Sequence, residues 1–542
     1  MSAEGAKRIA RQSLRQKDKG ISIPSVGEVF VFLDRLRICA VCLYFFVGFA
    51  ETTQNRKERI RMEDFFTTLA GINDKINAFI WVKIGLVLLI GTGILMTCCT
   101  KWFQITHLKH WWQQTIGGVF RRDSGVHAKT DKKTISQFQA LCTALAATIG
   151  TGNIAGVSAA IVIGGPGAVF WMWLSALLAA SLKYAETVLG VKNRLHKDGR
   201  LHGGAPVYIR KAFAERRLPR VGAALGKIFA LLCLADALSM GCIVQVNAVA
   251  GALEGIFGLD RRICGVLMAL AALAIASGGL NRISGACSAL VPFMTAGFCI
   301  LSVAVLIMRR GELTRALGEI MQGAFSFIKE EARPAGGGIS SFFAGVGGFF
   351  VSRAVRYGVM RGLISNEAGC GTSPLAHSAA DTDSAAKQGF LGIAEVIVDT
   401  VILCTATALV ILVNYADVAV YGENSVMMTI GAYAATLGSW AEPALAVAVL
   451  LFGLATVICW AYYGQECISF LGFSPKRERG ATRIFNIMYA AAAYIGAASP
   501  PGGVWTLADF SIGLMTFLNI AALILLRRDV KKETEYFANK KT

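Results

Sequence analysis

The chain has 542 residues, of which 54% are hydrophobic and only 16% are charged. Apolar runs of about 20 residues, the length that crosses a bilayer, recur along it and leave no long polar stretch for a soluble domain or a water-soluble enzyme. The net charge of +19 lies mostly between these runs, as in cytoplasmic loops, which favours lipid headgroups rather than nucleic acid as the partner. An all-α polytopic membrane protein is therefore predicted.

The apolar runs predict eleven transmembrane helices. Their predicted positions are 80–98, 136–163, 167–191, 226–253, 262–278, 286–308, 339–360, 389–413, 441–468, 483–500 and 505–526. The loops after the first and third spans are rich in Lys and Arg, whereas residues 414–440 contain neither. By the positive-inside rule, both basic loops and the C-terminus are expected in the cytoplasm.

Residues 1–61 do not fit this scheme, because their apolar stretch 38–50 is too short to span a bilayer. One interpretation is a translated upstream region with the true start at Met62. The alternatives are a signal-like or interfacial segment and a twelfth, short span. The expected organisation is an N-terminal extension (1–61), one transmembrane domain (62–527) and a basic cytoplasmic tail (528–542).

The predicted span 136–163 carries Gly150, Thr151, Gly152 and Asn153 at its midpoint. In hydrocarbon, freed backbone N–H and C=O groups cost several kcal/mol each, so such interruptions are tolerated where they line a cavity. The N-terminus of the second half-helix would attract a carboxylate, and loosened carbonyls with Thr or Asn oxygens would suit a small hard cation. These four residues are therefore candidate substrate-binding residues, and Thr148 and Asn153 are candidate cation ligands.

The glycines of this segment allow two other interpretations. The spacing Gly150-x-Gly152-x-x-x-Gly156 could indicate a dinucleotide-binding loop, but that loop needs a preceding strand and a soluble βαβ unit, which the sequence does not predict. Gly152 and Gly156 could instead be a small-residue pair for close helix packing. That interpretation explains the glycines and leaves the polar residues at 148, 151 and 153 unexplained.

Several long motifs occur in a fixed order along the chain. They are "ATIGTGNIAGVSAAIVIGGPGAVFWMW", "KYAETVLGVKNR", "GGAPVYI", "YGVMRGLISNEAGCGTSPLAHSAA", "VDTVILCTATALVIL" and "CWAYYGQE". From Met62 to the last helix the sequence resembles the alanine or glycine:cation symporter family, also called sodium:alanine symporters. The resemblance implies eleven helices, ten of them in the five-plus-five inverted repeat of the LeuT type and one additional at the N-terminus. It also implies symport of a small neutral amino acid with sodium and without an organic cofactor, in the cytoplasmic membrane of a prokaryote.

Under that fold, 136–163 is the first core helix and 339–360 the sixth. The inverted repeat then predicts a second interruption, and Gly345, Gly347 and Gly348 lie near the middle of the sixth helix. These three glycines are further candidate substrate-binding residues, although glycine clusters in membrane helices also serve packing.

Polar and aromatic groups in other spans could complete the site. Thr456 and Trp460 are spaced i, i+4 and share one helix face. The resemblance sets this helix opposite the first interruption, so Thr456 could bind sodium and Trp460 could close over the substrate. The alternatives are a Thr bonded to its own helix and a packing Trp. Gln245 could face the polar groups of the substrate or bridge two helices.

Five charged or amide residues are candidates for gating or structural roles. Asp399 is an intramembrane carboxylate, which suggests a functional or ion-linked site, with pairing to a neighbouring helix as the alternative. Lys183 and Glu186 are spaced i, i+3 near a cytoplasmic helix end and are expected to form a solvated ion pair. Asn366 and Glu367, in the family hallmark "SNEAGCG", are expected to form a gate at the cytoplasmic end of the sixth core helix.

These features predict a sodium-coupled amino-acid symporter that works by alternating access. The alternatives are a proton-coupled transporter and a channel or sensor that uses the same cavity. Asp236, which has no counterpart in the family pattern, could shift cation preference or line water. No HExxH, Walker or nucleophile-elbow motif indicates an enzyme.

Overall fold

The computed structural model describes residues 85–106, 117, 126–127, 134–197, 200–326, 352–422, 424–499 and 505–539. Within these ranges the chain is almost entirely helical, with a single antiparallel hairpin of two strands. The hairpin is formed by β1 (Leu195–Lys197) and β2 (Arg200–His202).

The helices are numbered in chain order. Those before residue 260 are α1 (Leu86–Cys99), α2 (Phe103–Thr106), α3 (Gln137–Thr148), α4 (Ala155–Gly164), α5 (Ala168–Lys192), α6 (Ala205–Ala214), α7 (Pro219–Leu238) and α8 (Gln245–Phe257). Those after it are α9 (Arg261–Ala276), α10 (Gly279–Met308), α11 (Arg310–Ala324), α12 (Arg353–Asn366), α13 (Ser373–His377), α14 (Ala385–Val396), α15 (Thr405–Val413), α16 (Tyr415–Val418), α17 (Ser425–Leu437), α18 (Ala441–Phe470), α19 (Pro475–Ala498) and α20 (Trp505–Asn539). Short 3₁₀ turns occupy Thr151–Asn153 and Ala419–Tyr421, and π-helical segments occupy Ser239–Val244 and Ile397–Cys404.

Six helical segments in the described ranges are long and apolar enough to cross a bilayer. They are Ala168–Lys192, Pro219–Phe257, Gly279–Met308, Ala385–Val413, Ala441–Phe470 and Phe510–Asn539. A seventh span results when α3 and α4, which are bent by 57°, are taken together. The most apolar window of α5 is 72% buried and that of α10 only 28%, so α5 is central and α10 turns most of its surface outward. The chain is therefore a multi-pass membrane protein.

The predicted spans agree well with the structure where both can be compared. The spans at 167–191 and 441–468 coincide with α5 and α18 to within two residues, and the span at 286–308 ends with α10, which begins earlier, at Gly279. The span at 80–98 corresponds to α1, which has 14 described residues, and the span at 262–278 to α9, which has 16. Most of 339–360 lies outside the described residues, as does the extension 1–61. The count of eleven stays a prediction.

Two predicted loops contain regular structure, and the start of one predicted helix is displaced. The helix predicted to begin at residue 226 begins at Pro219 instead. Proline is well tolerated at this position, because N–H groups in the first turn of a helix have no partner within the helix. The predicted loop 192–225 therefore contains the hairpin, α6 and the start of α7. The predicted loop 414–440 contains α17. This helix was not predicted because it has 13 residues, fewer than the ~20 of a transmembrane span.

The predicted cytoplasmic tail from residue 528 is helical as far as Asn539, as a continuation of α20. This helix end is packed against the protein: the ring of Phe537 lies 5.3 Å from that of Phe390, and the Thr534 hydroxyl is 3.1 Å from that of Tyr184. The hydropathy pattern did not indicate this helical continuation, because it ends a span where charged residues begin. Here the charges have partners, as when Lys192 pairs with Asp529 and Glu533.

Candidate functional site

The polar sequence at the middle of the first core helix breaks that helix. Regular α-helix stops at Thr148, Gly150 is extended (φ −127°, ψ −158°), and a single 3₁₀ turn leads to α4. The two halves pack against different partners, α3 against α10 and α18, and α4 against α12 and α17. Side chains in the turn are fully buried, including Thr151 and Asn153. The predicted interruption is therefore present.

Gly150 allows two polar side chains to approach the backbone of the break. A Cβ atom at this position would lie 2.7 Å from Thr456 Oγ1 and 2.8 Å from Gln245 Oε1, which is closer than carbon atoms come to such oxygens. At Gly152 and Gly156 an added Cβ would meet no atom within 4 Å. Neither of these glycines lets a neighbouring helix approach closely, so the close-packing interpretation of the pair is wrong.

Gln245 binds the backbone freed by the break. Its Oε1 accepts hydrogen bonds from the Thr151 backbone N–H at 3.0 Å and from the Thr151 hydroxyl at 2.9 Å, and its Nε2 donates to the Met240 carbonyl at 3.2 Å. The π-helical segment Ser239–Val244 comes directly before Gln245, and such segments are frequent at functional sites. The amide therefore joins α8 to the break and fixes the turn.

Thr456 and Trp460 reach the same region from α18. The Thr456 hydroxyl donates to the Phe452 carbonyl of its own helix at 3.1 Å and lies 3.4 Å from the Ile149 carbonyl oxygen, which the break has freed. Trp460 is completely buried, and its Nε1 has no hydrogen-bond partner among the described residues. The hydroxyl and the carbonyl are neutral oxygens of the kind that a small hard cation binds, so this pair fits sodium.

Asp399 joins the break to two further helices. Its carboxylate accepts hydrogen bonds from Asn153 Nδ2 at 2.7 Å, from the Ser365 hydroxyl at 2.9 Å and from the Thr400 hydroxyl at 2.8 Å. Asn153 Oδ1 in turn accepts from the Gly150 backbone N–H at 3.1 Å. Asp399 lies in the second π-helical segment, so both such segments flank the break. The sequence left open whether Asp399 pairs with a neighbouring helix. In the structure its carboxylate is hydrogen-bonded to residues of the broken helix and of α12.

A small cavity lies beside the break. Its walls are formed by Ala147, Thr148, Gly150, Gly152, Gly156, Met240, Gln245, Arg361, Ile364, Ser365, Glu367 and Trp460. Thr151 and Asn153 are not among these residues, because their side chains bind Gln245 and Asp399 instead. The structure thus brings five predicted binding residues to one cavity, namely Thr148, Gly150, Gly152, Gln245 and Trp460, whereas Thr151, Asn153 and Thr456 are not among its walls.

Some cavity residues were not predicted from the sequence. Arg361 and Ser365 come from α12, and Met240 from the π-helical segment before Gln245. Ser365 lies in the hallmark "SNEAGCG", which was assigned to a gate.

Asn366 and Glu367, the two predicted gate residues, are buried at the end of α12. The Asn366 amide donates to the Thr400 hydroxyl at 3.1 Å, and Glu367 Oε2 accepts from the Thr372 hydroxyl at 2.6 Å. Glu367 also lines the cavity. Gly345, Gly347 and Gly348 lie outside the described residues.

The prediction that Lys183 and Glu186 form a solvated ion pair is wrong. Both side chains are completely buried, and the ion-pair partner of Lys183 is Glu395, with Nζ 3.0 Å from Oε1. Lys183 also donates to the Ser373 hydroxyl. Glu186 instead accepts hydrogen bonds from the Gly371 backbone N–H and from Asn519. Proximity in sequence suggested the pair, but packing of α5 against α14 offers Lys183 a carboxylate from another helix.

The bundle of apolar spans, the buried break and the polar cavity beside it define a membrane transporter. Residues 66–542 match the sodium:alanine symporter family. The sodium/alanine symporter AgcS of Methanococcus maripaludis is 35% identical over 475 residues, which cover 85% of this chain and 96% of that protein. The "Probable sodium/glutamine symporter GlnT" of Bacillus subtilis is 32% identical, with 84% and 87% covered, and the amino-acid carrier protein AlsT of the same organism is 31% identical, with 89% and 94% covered.

Among solved structures, a mutant of the manganese transporter of Eremococcus coleocola aligns with a TM-score of 0.42 and 16% identity, over 70% of this chain and 76% of that one. That score is too low to define a shared fold. The family match and the relatives suffice: the chain belongs to the sodium:alanine symporter family. Members of this family are symporters rather than enzymes, so the chain performs amino-acid and cation symport.

Proposed function

We propose that this protein carries a small neutral amino acid, alanine or glycine, across the cytoplasmic membrane together with sodium, by alternating access. The observation that carries the proposal is the break at Gly150, where Gln245 and Thr456 approach the freed backbone and Gln245 and Trp460 line a small cavity. Broken helices beside a cavity are the usual binding sites of secondary transporters.

The substrate is held at the cavity by the backbone around Gly150 and Gly152 and by the first turn of α4. The positive end of the α4 dipole favours the substrate carboxylate there. In the full five-plus-five inverted repeat, Gly345, Gly347 and Gly348 would contribute the second broken helix. Trp460 limits the volume left for the side chain of the substrate.

The sodium ion is bound by neutral oxygens at the other side of the break. We assign the Thr456 hydroxyl and the Ile149 carbonyl, 3.4 Å apart, as its first two ligands, with Thr148 beside them in the cavity wall. Asn153, predicted as a third ligand, acts in this proposal on Asp399 and keeps the turn in place.

The proposed arrangement in the membrane is eleven spans with a cytoplasmic C-terminus. In this proposal, residues from Met62 onward carry out transport, and residues 1–61 are dispensable for it. Charged loops after the first and third spans support this orientation.

Uptake of labelled alanine by proteoliposomes tests the proposal. An inward sodium gradient should concentrate alanine inside, and replacing sodium with potassium or adding a sodium ionophore should abolish the accumulation. Accumulation driven by a proton gradient without sodium would identify the proton-coupled alternative. Equilibration without accumulation under either gradient would identify a channel and contradict symport.

A further inference from the structure

A second group of buried charges lies beside the cavity, between α5, α14 and the segment that follows α12, and shares only Glu367 with the cavity wall. It consists of the ammonium group of Lys183 and the carboxyl groups of Glu186, Glu367 and Glu395, all at most 2% exposed. Glu186, Glu367 and Glu395 all lie within electrostatic reach of Lys183. Three carboxyl groups thus surround one ammonium group, and a buried carboxylate without a counter-charge is so costly that it takes up a proton instead.

Glu395 is the charged partner of Lys183. Its Oε1 accepts hydrogen bonds from Lys183 and from the Ser373 hydroxyl at 2.7 Å, and its Oε2 lies 3.3 Å from His377 Nε2. The amide Nε2 of Gln388 donates to His377 Nδ1 at 2.8 Å, so the histidine hydrogen is on Nε2 and points to Glu395. Donors at both oxygens are what an ionised carboxylate requires.

Glu186 has a different set of contacts. Its Oε1 accepts two hydrogen bonds, from the Gly371 backbone N–H at 2.9 Å and from Asn519 Nδ2 at 2.5 Å. Its Oε2 is buried and has no hydrogen-bond partner in the described part of the chain. The Asn519 amide is oriented by the Gly369 carbonyl, which accepts from the same Nδ2 at 2.8 Å. One oxygen therefore resembles the carbonyl and the other the hydroxyl of a protonated carboxylic acid.

We infer that Glu186 is a proton-binding site, occupied in this conformation, and that sodium-driven transport requires the bound proton. The titratable groups that face Glu186 are Lys183 on its own helix, Glu395 on α14, Cys370 before α13 and Tyr208 on α6. Lys183 is already paired with Glu395, so it does not neutralise Glu186. Loss of the proton would leave an unpaired negative charge where α5 contacts the segment after α12. The same segment contributes Glu367 to the cavity wall, so the charge would disturb the cavity.

The test rests on the proposed function only for its uptake measurement. Alanine uptake is measured in proteoliposomes with equal pH on both sides and a constant sodium gradient, from about pH 6 to about pH 10. Wild-type uptake should fall roughly tenfold for each pH unit above the titration point, since the protonated fraction of one group falls by that factor. Glu186→Gln, which imitates the protonated acid, should keep its low-pH rate throughout. Glu254→Gln, at a side chain that is 52% exposed, should follow the wild type.

A second measurement does not need transport. The infrared spectrum of purified wild-type protein at neutral pH should contain a protonated-carboxyl band that Glu186→Gln lacks. If Glu186→Gln does not fold, Asn519→Leu replaces it: removing a donor that stabilises the ionised form should move the fall in uptake to higher pH. Identical pH profiles of the available variant and the wild type, or identical infrared bands, would overturn the inference. A wild type without sodium-driven uptake would contradict the proposed function, and the infrared comparison would still decide on Glu186.

Discussion

Asn153 Nδ2 lies 2.7 Å from Asp399 Oδ1, so a buried carboxylate of the π-helical segment holds the turn in the broken helix. Oδ1 of the same asparagine accepts from the Gly150 N–H. A chain of two hydrogen bonds therefore runs from Asp399 to the backbone at the cavity. Such a chain fixes the geometry of the break through contacts that lie behind the cavity wall.

This relationship predicts strong coupling between Asp399 and Asn153. Asp399→Asn and Asn153→Ala should each reduce alanine uptake about tenfold or more, because each breaks the same support, and the double variant should be little worse than either single one. The expected coupling is about 0.5–3 kcal/mol in a double-mutant cycle. Asp417→Asn, at a side chain that is 51% exposed, is the control. Additive losses would show that the two residues act separately.

Gly150 and Gly152 should respond differently to the same substitution. Gly150→Ala places a methyl group against Thr456 and Gln245, and overpacking of this kind costs about 1–3 kcal/mol, so both thermal stability and uptake should fall. Gly152→Ala meets no atom within 4 Å and should fold normally. Its methyl group narrows the cavity, so alanine uptake should fall more than glycine uptake. Equal stability of the two variants would contradict the close approach at Gly150.

Thr456 is the side chain through which the sodium assignment can be tested. Thr456→Val keeps the shape and removes the oxygen, so the sodium concentration for half-maximal uptake should rise about tenfold, which corresponds to about 1.4 kcal/mol. Thr456→Ser keeps the hydroxyl and should stay near the wild type. The assignment fails if the valine variant retains the sodium dependence of the wild type.

The buried ion pair of Lys183 and Glu395 predicts an unequal effect of single and double substitution. Lys183→Met leaves a buried carboxylate without its partner and should destabilise the protein by about 3–5 kcal/mol. Adding Glu395→Gln removes that charge and should restore part of the stability. Thermal unfolding in detergent measures both effects, and no recovery in the double variant would count against the pair.

The sequence was a good guide to what depends on local composition. Long apolar runs predicted α5, α10 and α18, and polar residues among glycines predicted the break at Gly150, because hydrocarbon penalises both kinds of feature in a recognisable way. Contacts between distant segments could not be predicted. Lys183 lies 212 residues from Glu395 in the sequence, and neither segment contains a pattern that predicts their contact.

The same limit applies within the site. Sequence spacing put Asn153 with the cavity residues, whereas the fold turns its side chain to Asp399, 246 residues further along the chain. Gly152 and Gly156 had the spacing of a packing pair, but an added Cβ at either position would meet no atom within 4 Å. Which face of a broken helix meets which neighbour depends on the packing of the whole bundle, and a pattern in one segment does not contain that information.

Trp460 should determine the largest substrate that the cavity accepts. The ring is fixed from behind by Gly241, where an added Cβ would lie 2.3 Å from Trp460 Cβ, and it lies across from Tyr463 with 5.4 Å between ring centres. A ring packed in this way should resist displacement by a larger ligand. Alanine, glycine and serine should therefore compete with labelled alanine, whereas leucine, phenylalanine and lysine should not, since an oversized group or a buried unpaired charge costs several kcal/mol.

Substitution of the ring separates this role from packing alone. Trp460→Phe preserves an aromatic side chain, makes the cavity larger and should admit substrates one or two methylene groups longer, a change of about 1–3 kcal/mol in discrimination. Trp440→Phe, at a position that is 56% exposed at the start of the same helix, should keep the wild-type order of substrates. Competition assays with a series of unbranched neutral amino acids measure the limit directly. Strong inhibition of wild-type uptake by leucine, or an unchanged size limit in Trp460→Phe, would show that another side chain sets the volume of the site.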